Sequence, residues 1–158
     1  MNILVLCTGN SARSILLESL FTHLGSGRVC AFSAGSEPAG KVNPYAIALL
    51  TEEGHNVSDF RSKSWDEFGQ TDAPQMDIVI TVCGSAAAET CPIWPGTPLR
   101  AHWGVEDPAA SPDDKAPAAF AESYDILRRR AEAFLGQTVE TMTPEMLAAH
   151  LKTCGALL

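Results

Sequence analysis

The chain has 158 residues, 46% of them hydrophobic and 19% charged, as is typical of one globular domain with a substantial core. Its net charge of −8 argues against binding to nucleic acid or to an anionic membrane surface, because no basic surplus exists to neutralise phosphates. No apolar segment approaches the length of a membrane span, and the first residues predict a strand, not a signal peptide.

Short apolar runs alternate with helical patterns along the chain. The predicted strands are residues 3–6, 28–33, 77–82 and 99–103, and the predicted helices are 16–24, 44–53, a short one within 59–70, 120–134 and 144–151. Residues 83–98 show little periodicity, and residues 104–117 form a long acidic loop. This alternation predicts an α/β fold with a parallel sheet and right-handed crossovers.

The loop after the first predicted strand reads Cys7-Thr8-Gly9-Asn10-Ser11-Ala12-Arg13-Ser14. Such a loop directs consecutive backbone N–H groups at one point, and the helix N-terminus adds partial positive charge. Residues 8–14 are therefore predicted to bind an oxyanion, with Arg13 as a bidentate donor. The same field is expected to lower the pKa of Cys7 to about 3.5–7.5 and make it a nucleophile. The alternative is that Cys7 is a buried thiol and Arg13 a surface residue.

The spacing Cys-x5-Arg-Ser between a strand and a helix resembles the signature loop of the low-molecular-weight tyrosine phosphatase superfamily, which includes one branch of the arsenate reductases. Asp107-Pro108 follows the fourth predicted strand, at the sheet edge where ligands bind in parallel α/β folds. In this superfamily an Asp-Pro at this place is the general acid. The resemblance therefore implies that Asp107 protonates the oxygen that a thiolate displaces. The alternative is a turn-forming Asp-Pro.

Two further cysteines, Cys83 and Cys91, distinguish the two branches. Cys83 ends the third predicted strand, in the same cleft as Cys7, and its spacing to Cys91 does not match a zinc site, so we expect no metal. A phosphatase needs one thiol, whereas reduction of arsenate to arsenite needs two electrons, which two thiols supply as they form a disulfide. In the predicted relay Cys7 attacks arsenic, Cys83 attacks the Cys7 sulfur, and Cys91 takes over the bond to Cys83 across the flexible segment 84–90. The alternative is that Cys83 and Cys91 are ordinary buried thiols.

Further motifs resemble the phosphatase-fold arsenate reductases over residues 1–136. They are Ser33-Ala34-Gly35, Arg61-Ser62-Lys63-Ser64-Trp65, Thr81-Val82-Cys83, Cys91-Pro92-Ile93-Trp94-Pro95-Gly96, His102-Trp103-Gly104 and Asp107-Pro108-Ala109. The tyrosine phosphatases instead carry tyrosines after the proline, which hold an aromatic substrate. The resemblance implies a three-layer α/β sandwich with a four-stranded parallel sheet of order 2-1-3-4 and helices on both faces. Residues 137–158 are expected to form a helical extension packed on the same domain.

In some relatives, Asn10, Glu18, Ser33 and a downstream acidic residue bind potassium behind the loop. Lys63 lies in the region that matches the acidic residue. Its ammonium group is therefore predicted to replace the metal, with a solvent-exposed lysine as the alternative.

The remaining cysteines and a basic run receive structural interpretations. Cys30 is predicted to be a core residue of the second strand, and Cys154 to be incidental rather than an extra resolving thiol. Residues 128–130, all arginine, are interpreted as a solvated helix face with one helix-end charge.

The predicted function is thus arsenate reduction by three thiols, without a bound cofactor. Phosphate and sulfate are the expected competing oxyanions, and either thioredoxin or glutathione with glutaredoxin is the electron donor. Five cysteines, an odd number that includes a reactive thiol, suit the reducing cytoplasm. The first alternative is a phosphatase that hydrolyses tyrosyl or small phosphate esters through a Cys7 phosphocysteine. The second is a non-enzymatic oxyanion-binding protein.

Overall fold

The computed structural model describes residues 1–88 and 94–158, so that Cys91 lies outside the described residues. Four strands form one sheet: β1 (Asn2–Cys7), β2 (Cys30–Gly35), β3 (Ile78–Thr81) and β4 (Leu99–His102). Their order is β2-β1-β3-β4 and every neighbouring pair is parallel. The predicted fold class and strand order are confirmed.

Helices connect the strands as the alternating pattern predicts. They are α1 (Arg13–Gly25), α2 (Pro44–Glu52), α3 (Gly84–Ala88), α4 (Ala116–Leu135) and α5 (Pro144–Gly155), with 3-10 turns at Trp65–Phe68, Pro108–Ala110 and Val139–Thr141. The side chains of Asn43 and Thr143 cap α2 and α5, each followed by a proline in the first turn. Two of the helix starts are therefore encoded locally.

The core lies on both faces of the sheet, because side chains alternate along each strand. On β1, Ile3 and Val5 belong to the larger cluster, which includes apolar residues of all five helices. Leu4 and Leu6 belong to a smaller cluster on the opposite face, which the 3-10 turn Trp65–Phe68 helps to cover. This packing holds the carboxyl end of β1, where Cys7 lies, in a fixed position.

Three local expectations differ from the structure. β2 continues to Gly35, which pairs with Cys7, because its ladder with β1 includes the glycine that reads as a break. Cys30 is exposed rather than buried, since it begins β2 at the edge of the sheet. Residues 84–88 form α3, a helix too short to produce a periodic signal in the sequence.

The C-terminal segment packs on β4 and α4 through Leu147, Leu151 and Cys154, which are buried. The indole Nε1 of Trp103, just after β4, donates a hydrogen bond to the Leu151 carbonyl (3.0 Å). Within the described ranges, no helix combines the length and apolar character needed to cross a bilayer.

Candidate active site

The loop between β1 and α1 is tightly wound. Asn10 has a φ of 46°, in the left-handed region, and Asn is one of the few residues that adopt it readily. The neighbouring strand approaches so closely at Gly35 that an added Cβ would collide with the Thr8 carbonyl oxygen and lie 3.0 Å from the Asn10 nitrogen. Glycine at position 35 is therefore needed for the loop to keep its shape.

The carbonyl groups of this loop are hydrogen-bonded to surrounding segments. Thr8 O accepts from Glu37 N (3.0 Å), Gly9 O from Ala39 N (2.9 Å) and Ser62 Oγ (3.0 Å), and Ser11 O from Asn43 N (2.9 Å). Because these oxygens are engaged by other segments, the loop is compatible with the predicted backbone anion-binding nest. The oxyanion-binding role of residues 8–14 remains a prediction.

The buried side chain of Asn10 supports the loop from behind. Its Nδ2 donates to Ser14 Oγ and to Ser33 Oγ, both at 2.9 Å, and its Oδ1 accepts from the backbone nitrogen of Lys63 (2.9 Å). Ser33 in turn donates a hydrogen bond to the carboxylate of Glu18. The loop is thus tied to α1, β2 and the segment that carries Lys63.

Lys63 is 8% exposed, so the alternative of a solvent-exposed lysine is wrong. Its Nζ donates to the Arg61 carbonyl (3.1 Å). Burial lowers the pKa of Lys63, and attraction to Glu18 opposes that shift. Burial likewise raises the pKa of Glu18, and the charge of Lys63 opposes it. The two side chains therefore act on each other behind the loop, as replacement of a metal ion requires.

Arg13, the first residue of α1, joins the loop to the segment after β4. Its Nη1 donates to the Val105 carbonyl (3.0 Å), and its Nη2 lies 3.6 Å from Asp107 Oδ2. Its Nε is buried and has no hydrogen-bond partner among the described residues. The guanidinium is thus partly engaged by the protein, with one buried donor left for a ligand.

Asp107 both forms a turn and faces the loop. Its Oδ1 accepts from the Ala109 nitrogen (3.1 Å) at the start of the 3-10 turn, while Oδ2 faces Arg13. The side chain is 44% exposed, which leaves the carboxyl accessible to a ligand. The two interpretations of Asp107-Pro108 are therefore compatible.

Cys7 and Cys83 are both buried, free thiols that share a hydrogen bond. Cys83 Sγ also accepts from the Ala86 nitrogen in α3 (3.4 Å) and lies 3.6 Å from Thr8 Oγ1. The hydrogen bond from Cys7 lowers the pKa of Cys83 to about 5, against the effect of burial. The same hydrogen bond and burial raise the pKa of Cys7, although Arg13 opposes them. The pKa of Cys7 is thus shifted upward, opposite to the expected direction.

A family model described as "Low molecular weight phosphotyrosine protein phosphatase" matches residues 2–145. The chain belongs to this family. An arsenate reductase from Halalkalibacterium halodurans is 36% identical over 131 residues, which cover 82% of this chain and 91% of the relative. A solved structure of an arsenate reductase in the phosphate binding state has a TM-score of 0.69 at 28% identity and covers 85% of this chain and 96% of that chain. A thioredoxin-dependent arsenate reductase from Corynebacterium glutamicum has a TM-score of 0.58 at 27% identity, over 80% of this chain and 58% of that chain.

In this member of the low-molecular-weight phosphatase family, the structure brings Cys7, Arg13, Cys83 and Asp107 to one edge of the sheet. The family resemblance inferred from the loop is confirmed. Cys91 lies outside the described residues, so its part in the relay stays a prediction.

Three contacts of the site have no signal in the sequence. They are the Thr8 hydroxyl near Cys83, the Ala86 N–H on the same sulfur and the Val105 carbonyl on Arg13. Two of the three involve main-chain atoms, and two join residues that are far apart along the chain. Residue type alone therefore does not reveal them.

Proposed function

We propose that this protein reduces arsenate to arsenite by a thiol relay. The observation that carries the proposal is the position of Cys83, a buried free thiol whose sulfur lies 3.6 Å from the hydroxyl of Thr8, the residue that follows Cys7. A phosphatase needs only the thiol of Cys7, whereas a two-electron reduction needs a second sulfur within reach. The arsenate reductases among its relatives support the same activity.

The first step is attack of the Cys7 sulfur on arsenic. Arg13 and the loop N–H groups bind the oxyanion, and Asp107 donates a proton to the oxygen that leaves as water. Cys7 passes its proton to Cys83 as it attacks, and the charge of Arg13 favours the negative form of the Cys7 sulfur. The product is a Cys7–arsenic adduct.

The second step transfers the electrons. Cys83 releases the proton of the pair to solvent, as its pKa of about 5 allows, and the resulting thiolate attacks the Cys7 sulfur. The sulfur–arsenic bond breaks with its electron pair on arsenic, and arsenite leaves. Cys91 then attacks Cys83, which releases Cys7 and yields a Cys83–Cys91 disulfide. In total, two thiols are oxidised to one disulfide as arsenic accepts two electrons.

A cellular dithiol must then reduce this disulfide. The thioredoxin-dependent relative supports thioredoxin as the donor, and glutathione with glutaredoxin is the competing system. We infer that the reaction takes place in the cytoplasm, where such thiol pools stay reduced.

The decisive experiment measures arsenate-dependent NADPH consumption with thioredoxin and thioredoxin reductase, and then with the glutathione system. Cys83→Ala is expected to abolish multiple turnover and to retain slow hydrolysis of an aryl phosphate. Cys7→Ser is expected to abolish both activities, because it removes the nucleophile. Cys30→Ala, which changes an exposed cysteine, is the control.

Two results would contradict the proposal. Catalytic arsenate reduction by Cys83→Ala, also when Cys154→Ala is added, would exclude the relay. Hydrolysis of phosphate esters by the wild type without any arsenate-dependent NADPH consumption would favour the phosphatase, which uses the same Cys7, Arg13 and Asp107.

A further inference from the structure

The arginines at 128–130 differ in their surroundings, although they are consecutive on α4. Arg128 pairs with Glu132 on the exposed face, and Arg129 donates to the Leu158 carbonyl (2.7 Å) from an exposed position. Arg130 is 4% exposed. The interpretation of this run as a solvated face is therefore wrong for Arg130.

The guanidinium of Arg130 joins two segments that are distant in sequence. Its Nε donates to the Leu157 carbonyl (2.8 Å) and its Nη1 to the Gly104 carbonyl (3.2 Å). A buried guanidinium is unfavourable unless it is hydrogen-bonded, so these carbonyls account for its position. Gly104 belongs to the segment that leads from β4 to Asp107.

Further contacts hold the same short segment. The nitrogen of Val105 donates to the Val82 carbonyl (3.2 Å), and the carbonyl of Val105 accepts from Arg13 (3.0 Å). Arg130 on Gly104 and Arg13 on Val105 thus bind adjacent peptide groups. Two residues later the carboxylate of Asp107 faces Arg13.

The C-terminal helix also supports the start of this segment. Trp103 donates to the Leu151 carbonyl, and α5 approaches it so closely at Gly155 that an added Cβ would lie 2.6 Å from Trp103 Cδ1. The residue before Gly104 and the guanidinium on Gly104 are therefore both attached to the C-terminal segment.

We propose that Arg130 is a positioning residue, which connects the C-terminal segment to Gly104 and so holds Asp107 in place against the anion-binding loop. This inference rests on the proposed role of Asp107 as the general acid. It assigns to the C-terminal segment a function in the reaction as well as in packing. The competing explanation is that Arg130 only anchors the C-terminus.

The test is a double-mutant cycle between Arg130→Gln and Asp107→Asn in the full chain. The readout is the single-turnover rate of arsenite formation by the reduced protein at saturating arsenate, which does not depend on the electron donor. Arg130→Gln is expected to lower this rate about tenfold, part of the 10²–10⁴-fold that general acid–base catalysis contributes. The apparent Kd for arsenate should not change, because the anion contacts remain. In the Asp107→Asn background, Arg130→Gln should have no further effect.

Two further variants separate positioning from anchoring. Arg129→Gln removes a neighbouring contact to the C-terminus that does not reach Gly104, and it should keep the wild-type rate. Arg130→Lys keeps the charge but cannot bridge both carbonyls, so its rate should lie between that of the wild type and that of Arg130→Gln. If the Arg130→Gln protein does not fold, Arg130→Lys is measured in its place.

Four results would overturn the inference. Equal rate losses from Arg130→Gln with and without Asp107 would show that Arg130 does not act through this carboxyl. A lower Tm of the Arg130 variants at an unchanged rate would indicate anchoring alone. An unchanged rate in Asp107→Asn itself would remove the general acid from the proposed function, and the inference with it. A slow rate in Asp107→Asn together with a wild-type rate in Arg130→Gln would overturn the inference alone.

Discussion

The hydroxyl oxygen of Thr8 lies 3.6 Å from the sulfur of Cys83, although 75 residues separate them in the sequence. The register of the sheet explains this contact. Leu6 pairs with Thr81 in the parallel ladder of β1 and β3, so the residues two positions further along both strands leave the sheet side by side. Cys83 therefore lies beside the loop between β1 and α1.

The hydrogen bond between the two thiols makes the pKa of Cys83 depend on Cys7. In the wild type, the rate of Cys83 alkylation should be half-maximal near pH 5 and should fall at lower pH, because the pKa of Cys83 is about 5. Cys7→Ala removes the donor, so the midpoint should move upward, toward the ordinary thiol value of about 8.5. Alkylation by iodoacetamide as a function of pH, with mass spectrometry of the Cys83 peptide, measures both midpoints.

Thr8→Val serves as the matched control, because the Thr8 hydroxyl contributes less than Cys7 to the lowered pKa of Cys83. Its midpoint should move upward by less than that of Cys7→Ala. Equal midpoints in the wild type and Cys7→Ala would contradict the shared proton.

Lys63 is predicted to replace a potassium ion behind the loop, because its buried ammonium attracts Glu18. The wild type should therefore reduce arsenate equally fast in potassium and in sodium chloride at constant ionic strength. Lys63→Ala leaves the buried Glu18 without this cation and should be slower, with partial recovery in potassium. Initial rates in both salts test this, and strong potassium stimulation of the wild type would exclude the replacement.

Arg61→Gln is the control for charge, since Arg61 acts on Glu18 more weakly than Lys63 does and pairs with Glu67 in an exposed salt bridge. Its response to the two salts should match that of the wild type. A potassium response in both variants would point to a general effect of surface charge.

His55 is expected to make the protein less stable in mild acid. Its Nδ1 lies 2.6 Å from Ser19 Oγ and its Nε2 2.9 Å from Tyr124 Oη, and its ring stacks on His23. Burial, and then the charge of His23, lower the pKa of His55 below 6.5. As the pH falls, His55 in the unfolded chain therefore binds a proton at a higher pH than in the native protein. The free energy of unfolding should then decrease as the pH drops below about 6.5.

Thermal unfolding measured at neutral pH and at about pH 5.5 tests the role of His55. His55→Gln cannot be protonated, so its Tm should fall less between these two values than that of the wild type. An equal fall in both proteins would assign the acid sensitivity to other groups.

Local signals in the chain determined much of the fold. The alternation of apolar runs and helical patterns predicted a parallel α/β sheet, and Asn43-Pro44 and Thr143-Pro144 marked helix starts that the structure confirms. The spacing from Cys7 to Arg13 indicated an anion-binding loop and the family. Such features depend on residues within a few positions of each other, and for this reason a single sequence shows them.

Only the tertiary structure decided where the charges and the buried groups lie. It placed the lower thiol pKa on Cys83 rather than Cys7, buried Arg130 against Gly104, and left Cys30 exposed. Each of these depends on contacts with residues that are distant in the sequence, or on whether a strand lies at the edge of the sheet. Burial and hydrogen-bond partners set the free energy of a charge, and both are properties of the folded chain.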